Sequence, residues 1–129
     1  MFIQLMLLAM LIGGMLSFQL LFAPLLFTKL KMATARSFIR KFFPFYYLYF
    51  ALLSLMFGAV SCYRSDWWSL SIAATCFIGF VVSRQWLMPQ ANLATDQGLT
   101  ARFNLLHRGT IAINTVQLLL FSLALYLCL

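Results

Sequence analysis

Four long apolar segments, separated by short polar connections, dominate the sequence. These segments, spans one to four, cover approximately residues 2–28, 43–63, 67–88 and 103–129. A helix needs about 20 mostly apolar residues, at a rise of about 1.5 Å each, to cross roughly 30 Å of hydrocarbon. Each segment meets that requirement. The pattern therefore predicts an all-α fold, a single four-helix transmembrane domain over residues 1–129.

The composition supports a membrane environment. Hydrophobic residues make up 64% of the chain and charged residues 9%, whereas soluble domains carry roughly a quarter of charged residues. The formal net charge is +7, but the basic residues are concentrated in two connections and are not spread along one exposed face. We therefore expect no nucleic-acid partner.

The basic residues predict the orientation of the bundle. Eight of them lie in or around the first and third connections against one acid, Asp96; they are Lys29, Lys31, Arg36, Arg40, Lys41, Arg84, Arg102 and Arg108. The positive-inside rule places these two connections in the cytoplasm and both termini on the non-cytoplasmic side. Short connections predict an up-down bundle. Together with the absence of recognisable sorting signals, they favour a bacterial inner (plasma) membrane.

Small residues at four-residue spacing mark seams at which helices could pack closely. The predicted seam residues are Gly13 and Ser17; Ser54, Gly58 and Cys62; and Ser71, Thr75, Gly79 and Ser83. Pro24, Pro44 and Pro89 lie near the basic ends of their spans, where proline kinks a helix or marks its boundary. An opening of the bundle on that side is one hypothesis.

Span four carries a polar stripe. His107, Thr110, Asn114 and Gln117 fall within about an 80° arc of a helix, because successive residues are about 100° apart. Span one carries Gln19 at nearly the depth of Asn114. An unpaired amide in hydrocarbon costs several kcal/mol, so we predict that Gln19 and Asn114 pair and bring spans one and four together. The stripe could serve packing alone or bind a ligand.

His107 is the natural candidate for proton transfer or ligand binding, since an unperturbed histidine titrates near neutral pH. A lone histidine cannot supply bis-His haem ligation, and a His/Met site would need one of the seven methionines. The three cysteines form no metal-ligand motif, so no metal site is predicted. The spans contain no carboxylate, which argues against ion-driven transport, and no set of catalytic residues is recognisable.

The first connection interleaves cations with aromatic side chains. Its candidates for binding anionic lipid headgroups at the cytoplasmic face are Lys31, Arg36, Arg40 and Lys41. The alternative is that these residues only determine topology.

Three ordered motifs resemble the transmembrane-protein-205-like family, which carries a membrane domain of unknown function. They are LLFAPLLFTKL at the end of span one, FFPFYY at residues 42–47, and FNLLHRGTIAIN at residues 103–114. The last contains a Phe-x3-His-x6-Asn pattern formed by Phe103, His107 and Asn114. The resemblance implies a four-helix membrane bundle, and eukaryotic members are linked to drug resistance and trafficking. The connection before span four is shorter here than in those members.

These observations favour a non-enzymatic membrane protein, an accessory or interaction subunit of a larger membrane assembly or a homo-oligomer. One alternative is a haem- or quinone-interacting redox protein that uses His107. A second is an oligomeric permease for small solutes, because a single bundle this apolar has little room for a pore. No cofactor is expected under the leading hypothesis.

Overall fold

The computed structural model describes residues 2–129, apart from the side chains of Phe27 and Met32. Met1, which the predicted domain includes, lies outside the described residues. Over residues 2–129 every regular element is helical, and four continuous helices are long and apolar enough to cross a membrane. The all-α, four-helix fold predicted from the sequence is confirmed.

Two of the four spans contain a π-helical turn between two α-helical parts. In chain order the elements are α1 (Phe2–Ser17), a π turn (Phe18–Phe22), α2 (Ala23–Lys29), α3 (Met32–Tyr63), α4 (Trp67–Val82), a π turn (Ser83–Leu87), α5 (Met88–Asp96) and α6 (Thr100–Cys128). Span one thus comprises α1 and α2, span two is α3, span three comprises α4 and α5, and span four is α6.

Spans two and three are longer than predicted. Span two was predicted to start at residue 43 and starts at Met32, and span three was predicted to end at residue 88 and ends at Asp96. The predicted ends are those of the apolar segments that cross the hydrocarbon layer. A helix can continue beyond that layer where its residues favour the helical conformation. Ala91 and Ala94 are almost fully buried, and α5 packs against α6. Packing outside the apolar segment therefore stabilises this extension.

Proline explains the position of both π turns. Each turn ends two residues before a proline, at Phe22 before Pro24 and at Leu87 before Pro89. Proline lacks an amide hydrogen and its ring crowds the carbonyl four residues earlier. A single wider turn is a known way for a helix to absorb such a defect. Span three consequently passes through Pro89, where the sequence pattern predicted a boundary.

Two of the connections are tight turns of the same type. Ser65 and Gly98 both adopt positive φ angles, 56° and 71°, and end their helices in the left-handed conformation common after a helix C-terminus. The amide of Asp66 donates to the carbonyl of Ser61 at 2.8 Å, and the amide of Leu99 donates to that of Ala94 at 2.9 Å. These turns reverse the chain within three residues, so consecutive spans are antiparallel.

The spans form a closed ring of neighbours. Helix α3 packs against α1 and α4, and α6 packs against α1, α4 and α5. Phe2, Leu129 and residues 64–66 lie at one end of the bundle, the terminal end. Residues 30–31 and 97–99 lie at the opposite end, the basic end. The placement of the basic end in the cytoplasm stays a prediction.

Aromatic side chains fill the centre of the bundle. Phe57, Phe80 and Phe121, from spans two, three and four, are fully buried. The ring of Phe121 lies 6.4 Å from that of Phe80 and 6.5 Å from that of Phe57, and Phe50 stacks on Phe80 at 5.8 Å. Dense packing of this kind is what holds helices together where lipid is as apolar as the protein core.

The predicted seams hold for only some of the small residues. A Cβ atom added at Gly58 would lie 3.3 Å from that of Ala73, so this glycine does bring spans two and three close together. Gly13 is exposed with no atom near its missing Cβ, and Ser71 and Thr75 are exposed and donate to carbonyls of their own helix. A small residue marks a seam only when its face of the helix is turned inward.

Candidate functional site

A buried glutamine joins span one to the turn between spans two and three. Gln4 is 1% exposed, and its Nε2 donates to Ser61 Oγ at 3.0 Å and to Asp66 Oδ2 at 3.3 Å. Gln4 lies one turn from the start of α1, at the level of the turn that carries Asp66. The amide therefore finds polar partners at the terminal end of the bundle.

Asp66 extends this network to the other two spans. It is the N-cap residue of α4, and it accepts the amide of Ser69 at 3.3 Å and the Ser69 hydroxyl at 2.7 Å. The Ser69 hydroxyl in turn lies 3.8 Å from the sulfur of Cys128 at the end of α6. The terminal-end network, formed by Gln4, Ser61, Asp66, Ser69 and Cys128, thus includes a side chain from each span.

The same contacts determine the ionisation of Asp66. Desolvation by burial acts to raise the pKa of this carboxyl, but hydrogen bonds from Ser69 and Gln4 and the charge of Arg64 outweigh it and hold the pKa below its usual value. The carboxylate is therefore favoured in the folded protein more than in the unfolded chain.

Gln117 of the predicted polar stripe crosses from span four to span three. It is 3% exposed, and its Nε2 donates to the carbonyl of Cys76 at 2.9 Å. A Cβ atom added at Gly79 would lie 2.6 Å from this Nε2, so the glycine provides the space that the amide occupies. The Gln117 Oε1 is buried without a partner among the described residues.

Asn114 pairs with a different residue from the one predicted. Its Nδ2 donates to the Tyr46 hydroxyl at 3.3 Å, and that hydroxyl lies 3.5 Å from its Oδ1. Gln19 lies half-buried in the first π turn and makes no side-chain hydrogen bond within residues 2–129. Spans one and four do touch, through α1 and α6, but the Gln19–Asn114 prediction is wrong. Asn114 thus joins span four to span two.

His107 and Thr110 complete the stripe without forming a site. The His107 side chain is exposed, and its ring stacks on Phe103 of the same helix with centroids 5.5 Å apart. Thr110 is buried and donates to the carbonyl of His107 at 2.7 Å. The structure therefore does not gather the predicted polar residues around one ligand position. It distributes them over separate contacts with different helices.

The basic end contains both paired and exposed cations. Arg40, predicted to bind lipid headgroups, instead forms a two-pronged ion pair with Asp96 and donates to the carbonyl of Asn92 at 3.2 Å. The other three candidates, Lys31, Arg36 and Lys41, are exposed, and lipid binding by them stays a prediction.

A wide apolar groove opens between spans one and two. Its volume is about 610 Å³, and it lies beside the first π turn, on the side of the bundle where the prolines predicted an opening. Aromatic residues dominate its walls; the lining residues are Gly14, Ser17, Phe18, Leu21, Phe22, Leu25, Phe42, Phe45, Tyr46, Tyr49 and Phe50. We call this the aromatic groove.

The chemistry available to this arrangement is limited. No group of three His, Cys, Asp or Glu side chains within residues 2–129 is placed to hold a metal ion. The side chains of Gln4, Asn114 and Gln117 form hydrogen bonds across helix interfaces, and the aromatic groove is lined mostly by apolar side chains. The geometry is suited to binding apolar surfaces.

Sequence reasoning missed the terminal-end network and the aromatic groove. A signal for the network existed, because Gln4 interrupts an apolar segment at the level of Asp66. No comparable signal identified the groove, since aromatic residues are common in all four spans.

Comparison with known families gives one match. A family model described as "Domain of unknown function (DUF4149)" matches residues 6–100. No curated protein and no solved structure matches the chain. The matched region covers most of span one and all of spans two and three, and it ends at the start of span four.

The lowered pKa of Asp66 predicts a pH dependence of stability. A carboxyl whose pKa is lower in the folded state contributes stability above its unfolded pKa, about 3.9, and this contribution is lost as the pH falls through the folded value. Thermal unfolding in mild detergent should therefore show a melting temperature that falls in this acidic range. Asp66→Asn, which retains an N-cap side chain, should be less stable at neutral pH and show a weaker acid dependence. An unchanged acid dependence would contradict this role.

Gly79→Ala should break the hydrogen bond that joins span four to span three. The added Cβ displaces the Gln117 amide from the Cys76 carbonyl, and the loss should be about 1 kcal/mol, the scale of one interhelical hydrogen bond. In a Gln117→Ala background the same substitution should cost much less, because the displaced group is gone. Gly13→Ala is the matched control and should be slightly stabilising, because its added Cβ meets no atom and alanine favours a helix more than glycine does. Equal costs with and without Gln117, measured by reversible unfolding in detergent, would refute this explanation.

Proposed function

The chain belongs to the DUF4149 family of proteins with a domain of unknown function, and on that premise we propose that it is a non-enzymatic accessory subunit that binds a transmembrane helix of a partner membrane protein. The observation that carries this proposal is the aromatic groove. The protein is a multi-pass membrane protein with four apolar spans. The groove lies along the first π turn and α2, the part of span one that packs less extensively against span two than α1 does.

The shape of the groove supports a helix as its occupant. Exposed Leu21, Phe45 and Tyr49 form its rims, and the small residue Ser17 lies in its lining. Gly13, one turn away from Ser17, is exposed with nothing within 4 Å of its missing Cβ. Small residues let helix backbones approach closely in lipid. A partner helix crossing at Gly13 and Ser17 would place its side chains among the aromatic rings.

The family resemblance makes a narrower assignment. The motifs LLFAPLLFTKL and FFPFYY lie inside the matched region, and both supply side chains to the aromatic groove, including Leu21, Phe22, Phe42 and Tyr46. We propose on these motifs that the chain is related to the transmembrane-protein-205-like family, and on its short connections that it lies in the inner (plasma) membrane of a bacterium.

The two alternatives gain no comparable support. His107, the residue on which a haem or quinone site would depend, lies exposed on α6 against Phe103. A permease would need a path for its solute, whereas Phe57, Phe80 and Phe121 pack together between spans two, three and four.

Site-specific photo-crosslinking in native membranes tests the accessory role. A photoreactive phenylalanine analogue replaces Leu21 in the groove or, as the control, Ile111 on the exposed face of span four. Leu21 lies about 28 Å from the terminal end of its helix and Ile111 about 26 Å, at 1.5 Å per residue, so both positions sample similar depths. We expect Leu21 to capture one partner protein that also co-purifies with the chain at a fixed ratio.

A groove-filling variant completes this experiment. Ser17→Phe should abolish both the capture and the co-purification if the partner helix lies in the groove. Capture of lipid only, or equal capture from Ile111, would contradict the proposal. An adduct of two copies of this chain would assign the groove to self-association in place of a heteromeric assembly.

A further inference from the structure

A second, smaller groove lies between spans two and three, on a different face from the aromatic groove. Its volume is about 200 Å³. Apolar side chains line most of its length, and Arg84 and Gln85 close it at the basic end; the apolar lining residues are Leu48, Ala51, Leu52, Leu55, Phe77, Phe80 and Val81. The groove is therefore apolar along its length and cationic at one end.

The guanidinium of Arg84 is held in place at that end. Its Nε donates to the carbonyl of Pro44 at 3.0 Å, and its Nη1 donates to Gln85 Oε1 at 3.1 Å. These two bonds fix the orientation of the side chain, which is half-buried. Within residues 2–129 its Nη2 makes no hydrogen bond.

No carboxylate among the described residues neutralises Arg84. Asp96 is paired with Arg40, and Asp66 lies in the turn at the terminal end. These are the two acidic residues of the sequence. A half-buried cation without a counter-charge favours an anion from outside the chain, because desolvated charges need compensation.

The depth of Arg84 matches a lipid headgroup. It lies 17 residues after Trp67, or about 25 Å along the helix at 1.5 Å per residue, and the hydrocarbon layer is roughly 30 Å thick. Trp86, two residues further on, is 57% exposed, and indole rings favour the headgroup boundary. An anion bound by Arg84 would therefore lie at the level of lipid phosphates, with the apolar groove extending from it into the hydrocarbon.

We propose that this groove binds one anionic phospholipid. An acyl chain lies along the groove between Leu52 and Val81, and the phosphate accepts hydrogen bonds from the free Nη2 of Arg84. The amide nitrogen of Gln85, whose oxygen is already bound to Arg84, supplies a further donor to the headgroup. Neither the exposed cations of the first connection nor the aromatic groove takes part, so this site is independent of the accessory role.

Fluorescence quenching of a tryptophan placed in the groove tests the site. Trp67→Phe, Trp68→Phe and Trp86→Phe combined with Leu48→Trp leave one tryptophan, at a position that lines the groove with Arg84. The protein is reconstituted in phosphatidylcholine vesicles that contain a small, equal fraction of brominated phosphatidylglycerol or brominated phosphatidylcholine. Phosphatidylglycerol should be enriched at this tryptophan by about fivefold, the factor that corresponds to about 1 kcal/mol for one basic residue at the membrane surface.

Matched variants distinguish this site from general surface charge. Arg84→Gln should remove most of the preference, Arg84→Lys should keep most of it, and Arg36→Gln, which removes an exposed cation, should leave it unchanged. Val81→Phe fills the groove with Arg84 intact and should also reduce the preference, so the test does not depend on the folding of Arg84→Gln. Equal quenching by the two lipids, or a preference that survives both Arg84→Gln and Val81→Phe, would overturn the proposal.

Discussion

The cost of leaving a polar group unpaired in hydrocarbon is the constraint on which this structure depends. That cost is several kcal/mol for an amide, whereas apolar side chains gain little by leaving lipid for a protein interface. Gln4, Asn114 and Gln117 each reach a partner on another span. These contacts select which helices become neighbours, and the aromatic packing of the core then fills the space between them.

Because these polar side chains form their hydrogen bonds inside the bundle, its outer surface in the membrane is mostly apolar. The aromatic groove and the smaller groove that ends at Arg84 both open toward the surroundings of the protein. They differ in one respect that governs their use: no charged residue lines the first, and the second has a fixed cation at one end. The same bundle can therefore hold a partner helix on one face and an anionic lipid on another.

The number and type of helices could be predicted from the sequence because hydrocarbon thickness sets a minimum length for an apolar helix. Their ends could not, since the continuation of span three past Pro89 depends on a π turn and on the packing of Ala91 and Ala94. Of the polar stripe predicted on span four, Thr110 and Gln117 are buried, Asn114 is half-buried and His107 is exposed. Helical periodicity gives the face of a residue on its own helix. It does not give the partner, which is why Asn114 was assigned to Gln19 when Tyr46 is the residue in contact.

A double-mutant cycle between Gln4 and Ser61 tests most directly whether buried hydrogen bonds hold the spans together. Gln4→Met, Ser61→Ala and the double variant are compared with the wild type by reversible unfolding in mild detergent. If the hydrogen bond holds the spans together, the coupling free energy should be about 0.6 kcal/mol or more, the average for an interhelical hydrogen bond. Single-variant costs that add to within about 0.3 kcal/mol would contradict it, because the two side chains would then contribute independently of each other.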